Sequence, residues 1–264
     1  MLLKLIEKLV DGFFAAIPRA KPQPENIINA LVIAHRGAHN NTRGIIENTA
    51  DAFRIAREAG CWGIELDVHP TQDKVLVVNH DPTLKRLWHK DILIAHLTFK
   101  ELRALEPRIP SLEEVVREYG SHMHLFIELK TSIEDEEILL QPLSNLIPCE
   151  DYHLLSLHET YFKKLSCFPK QSLLLVAGPN NVRMFCELSL KENYGGVLGN
   201  YLLFNDKVIK RLQAANQHYG VGFVDSKNSL YRELNRGIQW IFTNEAVRIN
   251  QHLCYLKKCL NHKS

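Results

Sequence analysis

The stretch IELDV (64–68) places two carboxylates, Glu65 and Asp67, inside a short apolar run. Residues two positions apart on a β-strand point to the same side, so both carboxylates are predicted to face one space. Two like charges this close together need a cation or a proton between them. An edge strand with two solvated acids is the alternative, but the apolar neighbours favour a buried strand, where charges are paired or bind metals. The stretch therefore predicts a cation site on a buried strand.

Similar apolar runs recur along the chain and alternate with helical patterns. Near IELDV lie LVIAH (31–35), HLFIELK (124–130) and an extended excursion, VLVVNH (75–80). Later runs are LLSL (154–157), SLLLVA (172–177), GGVL (195–198), VGFVD (221–225) and IQWIFTN (238–244). Among the helices predicted between them, SLEEVVREY (111–119) begins with Ser111 and Glu114 at the spacing of a capping box. Eight strands alternating with helices in 264 residues predict a parallel α/β barrel.

Composition limits the class of protein. Hydrophobic residues make up 45% of the chain and charged residues 23%, which is typical of a folded domain. The net charge is +2 and the Lys and Arg residues form no long block, so no nucleic-acid partner is expected. The six cysteines lack the short spacing of zinc or redox motifs, which favours a reduced, cytoplasmic protein.

Residues 1–29 precede the first predicted strand and are interpreted as an amphipathic helix followed by a linker. Apolar residues recur there at helical spacing, and charged residues interrupt them, so neither a signal peptide nor a membrane span is expected. These apolar residues are Leu2, Leu5, Ile6, Leu9, Val10, Phe13 and Ile17. The linker is predicted to begin where the helix ends and contains Pro18, Pro22 and Pro24. The favoured interpretation is a helix packed on residues 30–264, the predicted barrel, and weak contact of residues 1–18 with a membrane surface is the alternative.

Polar residues follow several predicted strands, at the end where barrel enzymes carry their active sites. Glu128 interrupts an apolar run and is predicted to add a third carboxylate from a neighbouring strand. Three carboxylates suit a hard divalent cation, Ca²⁺ or Mg²⁺, better than zinc. Lys130 faces the same side as Glu128. It is predicted either to hold an anionic oxygen of a substrate or to form a salt bridge with Glu128 or Glu65.

Two histidines complete the predicted rim. His35 ends the first strand and is followed by Arg36 and Gly37. A histidine exchanges protons near neutral pH, an arginine binds phosphate in a bidentate manner, and a glycine permits a sharp turn. His80 precedes Asp81, which is predicted either to orient it or to cap a turn. Each of these motifs is weak evidence alone.

In their order along the chain, these segments resemble the glycerophosphodiester phosphodiesterase family, from about Val32 to Ala246. The resemblance is carried by AHRG (34–37), ENT followed by AF (47–53), ELDV (65–68), T-x-D (71–73), VVNHDPTL (77–84), IPSLEEV (109–115), IELK (127–130) and IFTNEA (241–246). It implies a TIM barrel, in agreement with the strand count. It also implies hydrolysis of glycerophosphodiesters, such as glycerophosphocholine or glycerophosphoethanolamine, to glycerol 3-phosphate and an alcohol, hence a role in lipid and glycerol metabolism.

The resemblance further implies roles for individual residues. It identifies the catalytic pair as His35 and His80, the ligands of one divalent cation as Glu65, Asp67 and Glu128, the phosphate contacts as Arg36 and Lys130, and a supporting residue as Glu47. Phe223 stands where the family often has a tryptophan that lines the site opposite the glycerol. It is therefore expected to contact the substrate and to alter substrate preference more than chemistry.

For the mechanism, His35 is predicted to act as the base and His80 as the acid that protonates the departing alcohol. The nucleophile is either water or the glycerol 2-hydroxyl. One alternative function is lysophospholipase D-type cleavage of lysophospholipids at a membrane surface, which the N-terminal segment supports. A non-catalytic barrel with a binding role is a further alternative, which the complete polar set disfavours. A small-molecule substrate is expected as the partner.

Overall fold

The computed structural model describes residues 10 and 12–261 and contains a closed barrel of eight parallel strands. In chain order the strands are β1 Leu31–His35, β2 Gly63–Pro70, β3 Leu76–Val78, β4 His124–Leu129, β5 Tyr152–Ser156, β6 Leu173–Ala177, β7 Gly196–Asn200, β8 His218–Gly222 and β9 Trp240–Thr243. The barrel closes because β1 pairs with both β2 and β9. β3 stands outside the barrel and pairs antiparallel with the end of β2. The predicted TIM barrel is confirmed.

Helices surround the barrel and follow most of its strands. They are Pro24–Ile28, Ala50–Glu58, Lys85–Trp88, Phe99–Leu105, Leu112–Tyr119, Glu137–Leu143, Val182–Glu192, Asp206–Ala214, Lys227–Asn235 and Ala246–Asn261. The 3₁₀ helices cover Asn41–Arg43, Ile94–His96, Glu159–Lys164 and Lys170–Ser172. The predicted capping box is present, because the Ser111 hydroxyl accepts from Glu114 N and the Glu114 carboxylate accepts from Ser111 N.

Two local predictions were wrong. The strand predicted at 221–225 is β8, which lies at 218–222, so Phe223 and Asp225 belong to the loop that follows it. The apolar run suggested a longer strand because the side chain of Val224, in the loop, is buried. The loop also pairs with β9, since Val224 N donates to Phe242 O at 3.1 Å. Pro24 was assigned to a linker, but it begins a helix, since a proline at the first helical position lacks only an N–H that has no partner there.

The barrel interior separates into an apolar layer and a polar layer. The apolar layer consists of Ile33, Phe126, Leu155, Leu174, Leu198, Trp240 and Phe242. Because side chains on a strand alternate, the residues two positions further along β1 and β4, His35 and Glu128, also point inward. They therefore lie above the apolar layer at the C-terminal ends of the strands.

The N-terminal segment contacts the barrel near the end of β7. Residues 12–16 are helical, and the Phe14 ring packs edge-on against Tyr201 with 6.0 Å between centroids. Asn228 Nδ2 donates to Ala15 O at 2.7 Å. Phe13, predicted on the apolar face, is 62% exposed, because Phe14 is the residue that packs on Tyr201. The predicted positions outside the described residues are Leu2, Leu5, Ile6 and Leu9. No helix among the described residues combines the length and the apolar character that crossing a bilayer requires.

Candidate active site

The polar residues at the C-terminal ends of the strands meet in a cavity of about 380 Å³. Its polar side is lined by His35, Arg36, Glu65, His80, Glu128 and Lys130. Phe223 lines the other side. A larger cleft of about 680 Å³ lies between the helices at 112–119 and 137–143, but neither histidine and none of the three predicted metal ligands lines it. The smaller cavity is therefore the candidate site, and it contains most of the predicted residues.

The three predicted metal ligands form one buried cluster. Glu65 and Asp67 come from β2 and Glu128 from β4, and each offers a carboxylate oxygen within 4.8 Å of the others. Pairing of Asp67 with Glu128 across the parallel strands sets this proximity. Glu65 Oε1 is buried and accepts no hydrogen bond from any residue that the structure describes. A buried oxygen without a donor, beside two further carboxylates, fits a hard cation.

Burial and charge act differently on the three carboxyls. Burial raises the pKa of Glu65 well above its ordinary value, and repulsion from Asp67 and Glu128 adds to this. Burial and the nearby Asp67 also raise the pKa of Glu128. For Asp67 burial again acts upward, but Lys130 and Arg36 outweigh it and hold the pKa at about 2. One carboxylate is thus firmly ionised, while the other two gain from a proton or a cation.

Two basic side chains lie beside this cluster. Lys130 Nζ is 3.0 Å from Asp67 Oδ1 and also contacts Glu128, so the predicted salt bridge with Glu128 is present. Arg36 Nε is 3.2 Å from Asp67 Oδ2, and Arg36 NH1 donates to Glu47 Oε1 at 2.9 Å. Burial acts to lower the pKa of both basic groups, but attraction to Asp67 together with the other nearby carboxylates outweighs burial and raises the pKa. Both therefore keep their positive charge at the cavity wall.

The turn after β1 aims the Arg36 backbone into the site. Arg36 has φ 54° and Gly37 has φ 76°, and Arg36 N donates to Glu65 Oε2 at 3.0 Å. A Cβ at Gly37 would lie 2.8 Å from Ala52 C, so a larger residue would collide with the following helix. The glycine of the predicted triplet is thus needed for both its dihedral angle and its size.

The two histidines lie on the same side of the cavity but have different partners. His35 Nδ1 is 2.8 Å from Asn244 Oδ1, and its Nε2 is 3.8 Å from Glu65 Oε2. His80 Nδ1 is 2.8 Å from Asp81 Oδ1, so Asp81 orients His80, as one of the two interpretations predicted. Burial lowers the pKa of His35 to about 3, with repulsion from Arg36 as the next cause, and burial lowers the pKa of His80 as well.

A chain of charges links His80 to the supporting residue Glu47. Arg86 contacts Asp81 through its Nε and donates to Glu47 Oε1 at 2.6 Å. Glu47 also accepts from Arg36. Burial acts to raise the pKa of Glu47, but its bonds to Arg86 and its attraction to Arg36 lower it. Glu47 therefore connects a phosphate-contact candidate with the surroundings of His80, although it does not line the cavity.

The sequence interpretation missed several residues that hold the site together. Asn48 Nδ2 donates to Asp67 Oδ2 at 2.8 Å, directly before the helix that Thr49 caps. Its φ of 59° is a left-handed conformation that asparagine tolerates better than most residues. Asp225 and Asn244 were quoted only as parts of motifs. A polar residue within three positions of the end of a strand was the available signal for Asp225 and Asn244, whereas Asn48 lies far from any strand end.

The remaining cavity wall is mostly apolar. Its residues come mainly from the ends of β5 to β9, and they include Leu155, Leu157, Val176, Pro179, Leu198, Leu202, Leu203, Phe223 and Phe242. The Phe223 ring lies 4.6 Å from the His35 ring, between centroids, and is 38% exposed. The cavity therefore has a charged half and an apolar half that meet at His35 and Phe223.

Residues 35–147 match the family model described as the glycerophosphoryl diester phosphodiesterase family. This segment contains both histidines, all three clustered carboxylates, Arg36 and Lys130. Residues 35–147 therefore belong to the glycerophosphodiester phosphodiesterase family. Phe223, Asp225 and Asn244 lie outside the segment that the family model matches.

Individual family members show the same relationship. The glycerophosphodiester phosphodiesterase of Caldanaerobacter subterraneus is 38% identical over 118 residues, which is 40% of this chain and 47% of that protein, so the chain spans about half of the relative's length. The enzyme of the same name from Bacillus altitudinis is 28% identical over 84% of this chain and 98% of its own. The crystal structure of the Thermotoga maritima glycerophosphodiester phosphodiesterase has a TM-score of 0.73 at 26% identity, covering 84% of this chain and 97% of that one.

Proposed function

We propose that the chain hydrolyses glycerophosphodiesters, such as glycerophosphocholine or glycerophosphoethanolamine, to glycerol 3-phosphate and an alcohol. The observation that carries this proposal is the meeting of three clustered carboxylates, two histidines and two basic side chains in one cavity. A phosphodiesterase of Oleispira antarctica, with a TM-score of 0.71 and 21% identity, has been solved in complex with the product sn-glycerol-3-phosphate. That complex supports glycerol 3-phosphate as the product to seek for this chain.

The proposal includes one divalent cation, Ca²⁺ or Mg²⁺, held by Glu65, Asp67 and Glu128. The undonated Glu65 Oε1 and the all-oxygen donor set support it. When bound, the cation supplies Lewis-acid stabilisation of the charge on the phosphate oxygens. Asn48 and Lys130 hold the Asp67 carboxylate in place from its two sides.

The protein side chains divide the remaining work. Arg36 and Lys130 bind phosphate oxygens and offset the negative charge that develops there. His35 accepts the proton of the nucleophile, which is water or the glycerol 2-hydroxyl. His80 donates a proton to the oxygen of the departing alcohol, with Asp81 holding its ring. Phe223 packs on His35 and contacts the organic part of the substrate.

The experiment is a hydrolysis assay of the full chain with glycerophosphocholine and glycerophosphoethanolamine, in Ca²⁺, Mg²⁺ or EDTA. We expect glycerol 3-phosphate to appear with at least one cation and to disappear in EDTA. Glu65→Gln should abolish turnover, and Glu113→Gln, which alters an exposed carboxylate away from the site, should not. Equal product formation in EDTA and with added cation would contradict the proposed cation.

A second candidate function is lysophospholipase D-type cleavage of lysophospholipids at a membrane surface, which the apolar half of the cavity favours. A choline or ethanolamine group carries a positive charge, whereas an acyl chain gains from contact with side chains such as Leu202 and Leu203. We expect Leu202→Asn to lower kcat/KM for lysophosphatidylcholine more than for glycerophosphocholine. An equal effect on both substrates would argue against lysophospholipid cleavage, and glycerophosphodiester hydrolysis would remain as the single candidate function.

We also propose that residues 1–29 form an N-terminal helix and linker and that residues 30–264 form the catalytic barrel, located in the cytoplasm. Packing of Phe14 on Tyr201 and the bond from Asn228 to Ala15 support a helix that rests on the barrel. The six cysteines are free, which supports a reducing compartment. Liposome flotation of the wild type and of a Phe13→Ser variant tests the membrane-surface alternative, which requires binding that the variant weakens.

A further inference from the structure

Asp225 fixes the direction of one amide next to His35. It lies in the loop after β8, and its Oδ1 accepts from Asn244 N and from Thr243 Oγ1, each at 2.8 Å. Its Oδ2 is 2.9 Å from the Asn244 side-chain nitrogen. If the amide were reversed, its carbonyl oxygen would face the carboxylate and two acceptors would meet. The Asn244 NH₂ therefore faces Asp225, and the carbonyl oxygen faces His35.

The orientation of this amide determines where the proton on the His35 ring sits. A carbonyl oxygen can only accept, so His35 Nδ1, at 2.8 Å, must carry a hydrogen. A neutral imidazole carries one hydrogen, which leaves Nε2 with a free lone pair. Nε2 is the ring nitrogen nearest to Glu65, at 3.8 Å, and His35 lines the cavity. The lone pair thus lies on the side where the substrate would bind.

We propose that Asp225 and Asn244 are positioning residues that hold His35 in its Nδ1–H tautomer and thereby present the Nε2 lone pair to the reacting group. The proposal rests on the proposed function for the identity of that group. It does not rest on it for the tautomer, which follows from the hydrogen bonds alone. It also gives the two histidines different tasks, because His35 has a neutral amide partner whereas His80 has the carboxylate of Asp81. A carboxylate stabilises the protonated ring more than an amide does, so His80 is suited to carry the proton and His35 to accept one.

Asp225→Asn is the most informative substitution because it keeps the shape of the side chain and reverses the hydrogen-bond relay. The amide oxygen introduced at position 225 would still accept from Asn244 N and Thr243, which leaves the introduced NH₂ facing the Asn244 side chain. Asn244 would then turn its oxygen toward position 225 and its NH₂ toward His35. His35 Nδ1 would become the acceptor, and the hydrogen would move to Nε2. The lone pair would no longer face the substrate.

The matched partner variant exchanges the two residue types. In Asp225→Asn/Asn244→Asp, the NH₂ at position 225 donates to the carboxylate at position 244, whose second oxygen again accepts from His35 Nδ1. The double variant should therefore restore the Nδ1–H tautomer, although each single site carries a changed residue. A role limited to holding the loop in place predicts no such recovery.

The experiment is ¹⁵N NMR of histidine-labelled full chain, with Mg²⁺ or Ca²⁺ present, alongside steady-state kinetics. The chain has 13 histidines, so the His35 signals are identified by their loss in His35→Gln. We expect Nδ1–H in the wild type, Nε2–H in Asp225→Asn, and Nδ1–H in the double variant. We expect kcat to fall at least ~10²-fold in Asp225→Asn, toward the ~10⁴-fold loss of a triad histidine held in the wrong tautomer, with KM little changed.

Two results would overturn the proposal. One is an Nε2–H tautomer in the wild type, which decides the question even if Asp225→Asn fails to fold. The other is an unchanged tautomer and an unchanged kcat in folded Asp225→Asn. The tautomer is measured without substrate. If the wild type turns over no glycerophosphodiester while the tautomer switches as expected, the proposed function fails and the positioning role stands.

Discussion

Glu65 and Asp67 lie two positions apart on β2 and face the same space, yet their pKa values shift in opposite directions. The difference comes from their neighbours. Asp67 has Lys130 Nζ at 3.0 Å and Arg36 Nε at 3.2 Å, and these two positive charges lower its pKa. Glu65 is buried beside two other carboxylates, and both burial and their repulsion raise its pKa. The cluster is therefore unbalanced at its Glu65 side, and a divalent cation would offset this imbalance.

A divalent cation is expected to raise the melting temperature at neutral pH. Binding to the folded chain alone at 100 times Kd adds about 2.7 kcal/mol to the free energy of unfolding. Scanning fluorimetry in Ca²⁺, Mg²⁺ and EDTA measures the shift. Glu65→Gln should lose the shift and Glu113→Gln, on an exposed helix position, should keep it. A full shift in Glu65→Gln would place the cation elsewhere.

In EDTA, the stability of the wild type relative to Glu65→Gln is expected to fall as the pH rises above 4.5. The folded state holds the Glu65 proton more tightly than the unfolded chain does. The contribution of Glu65 to the free energy of unfolding is therefore lost as the pH rises through the raised pKa of the folded state. The pH dependence that comes from Asp67 has the opposite sign. Its contribution to the free energy of unfolding is present above pH 3.8 and is lost as the pH falls toward about 2. Urea unfolding at about pH 5 and about pH 7 separates the two. A growing advantage of the wild type with rising pH would contradict the assigned direction.

Lys130→Met is expected to reduce both activity and stability. The Lys130 side chain is 16% exposed and contacts Asp67 and Glu128, and removal of one member of a buried ion pair costs about 3–5 kcal/mol. Loss of a phosphate contact should lower kcat about 10²-fold or more. The matched control is Lys164→Met, which removes a pair between exposed residues and should change neither quantity much. Equal stability of the two variants would argue against a buried network.

Arg86→Gln is expected to lower kcat about tenfold with little change in KM, because Asp81 and Glu47 lose their shared partner and the His80 ring loses its fixed orientation. Lys85→Gln is the control. Lys85 lies one position before Arg86 but pairs with the exposed Asp91. Steady-state kinetics on glycerophosphocholine measure both. If the two variants behave alike, the link from Glu47 to His80 has no catalytic role.

A pair of histidines at the N-terminal end of the barrel strands predicts loss of stability in mild acid. His124 Nε2 lies 2.7 Å from His153 Nδ1, and burial lowers the pKa of His124 to about 4 and that of His153 to about 2. Both rings are neutral in the folded chain, so their contribution to the free energy of unfolding is fully present above pH 6.5. Below that pH the contribution falls by about 1.4 kcal/mol per pH unit for each ring.

The variant His153→Phe should therefore lose less stability than the wild type between about pH 6.5 and about pH 4, as measured by urea unfolding. His122→Phe changes an exposed ring and should follow the wild type. Identical slopes for His153→Phe and the wild type would show that His153 does not contribute to the acid sensitivity.

The barrel and the carboxylate cluster could be predicted because their signals are local. Alternation within IELDV and FIELK defines which residues share a face, and parallel strands bring the two segments side by side. Strand ends were harder, since the apolar Val224 continues the pattern of β8 after the ladder has ended. The bond between His35 and Asn244 could not be predicted, because it joins residues 209 positions apart and depends on closure of the barrel.

Turnover and cation binding, measured in the same preparation of His80→Ala, separate the proposed catalytic role of His80 from the proposed cation site. We expect glycerol 3-phosphate formation from glycerophosphocholine to be abolished, while Ca²⁺ or Mg²⁺ still raises the melting temperature as in the wild type. His80 contacts Asp81 rather than the carboxylate cluster, so its removal leaves the proposed ligands intact. Undiminished turnover by His80→Ala would rule out His80 as the acid of the reaction.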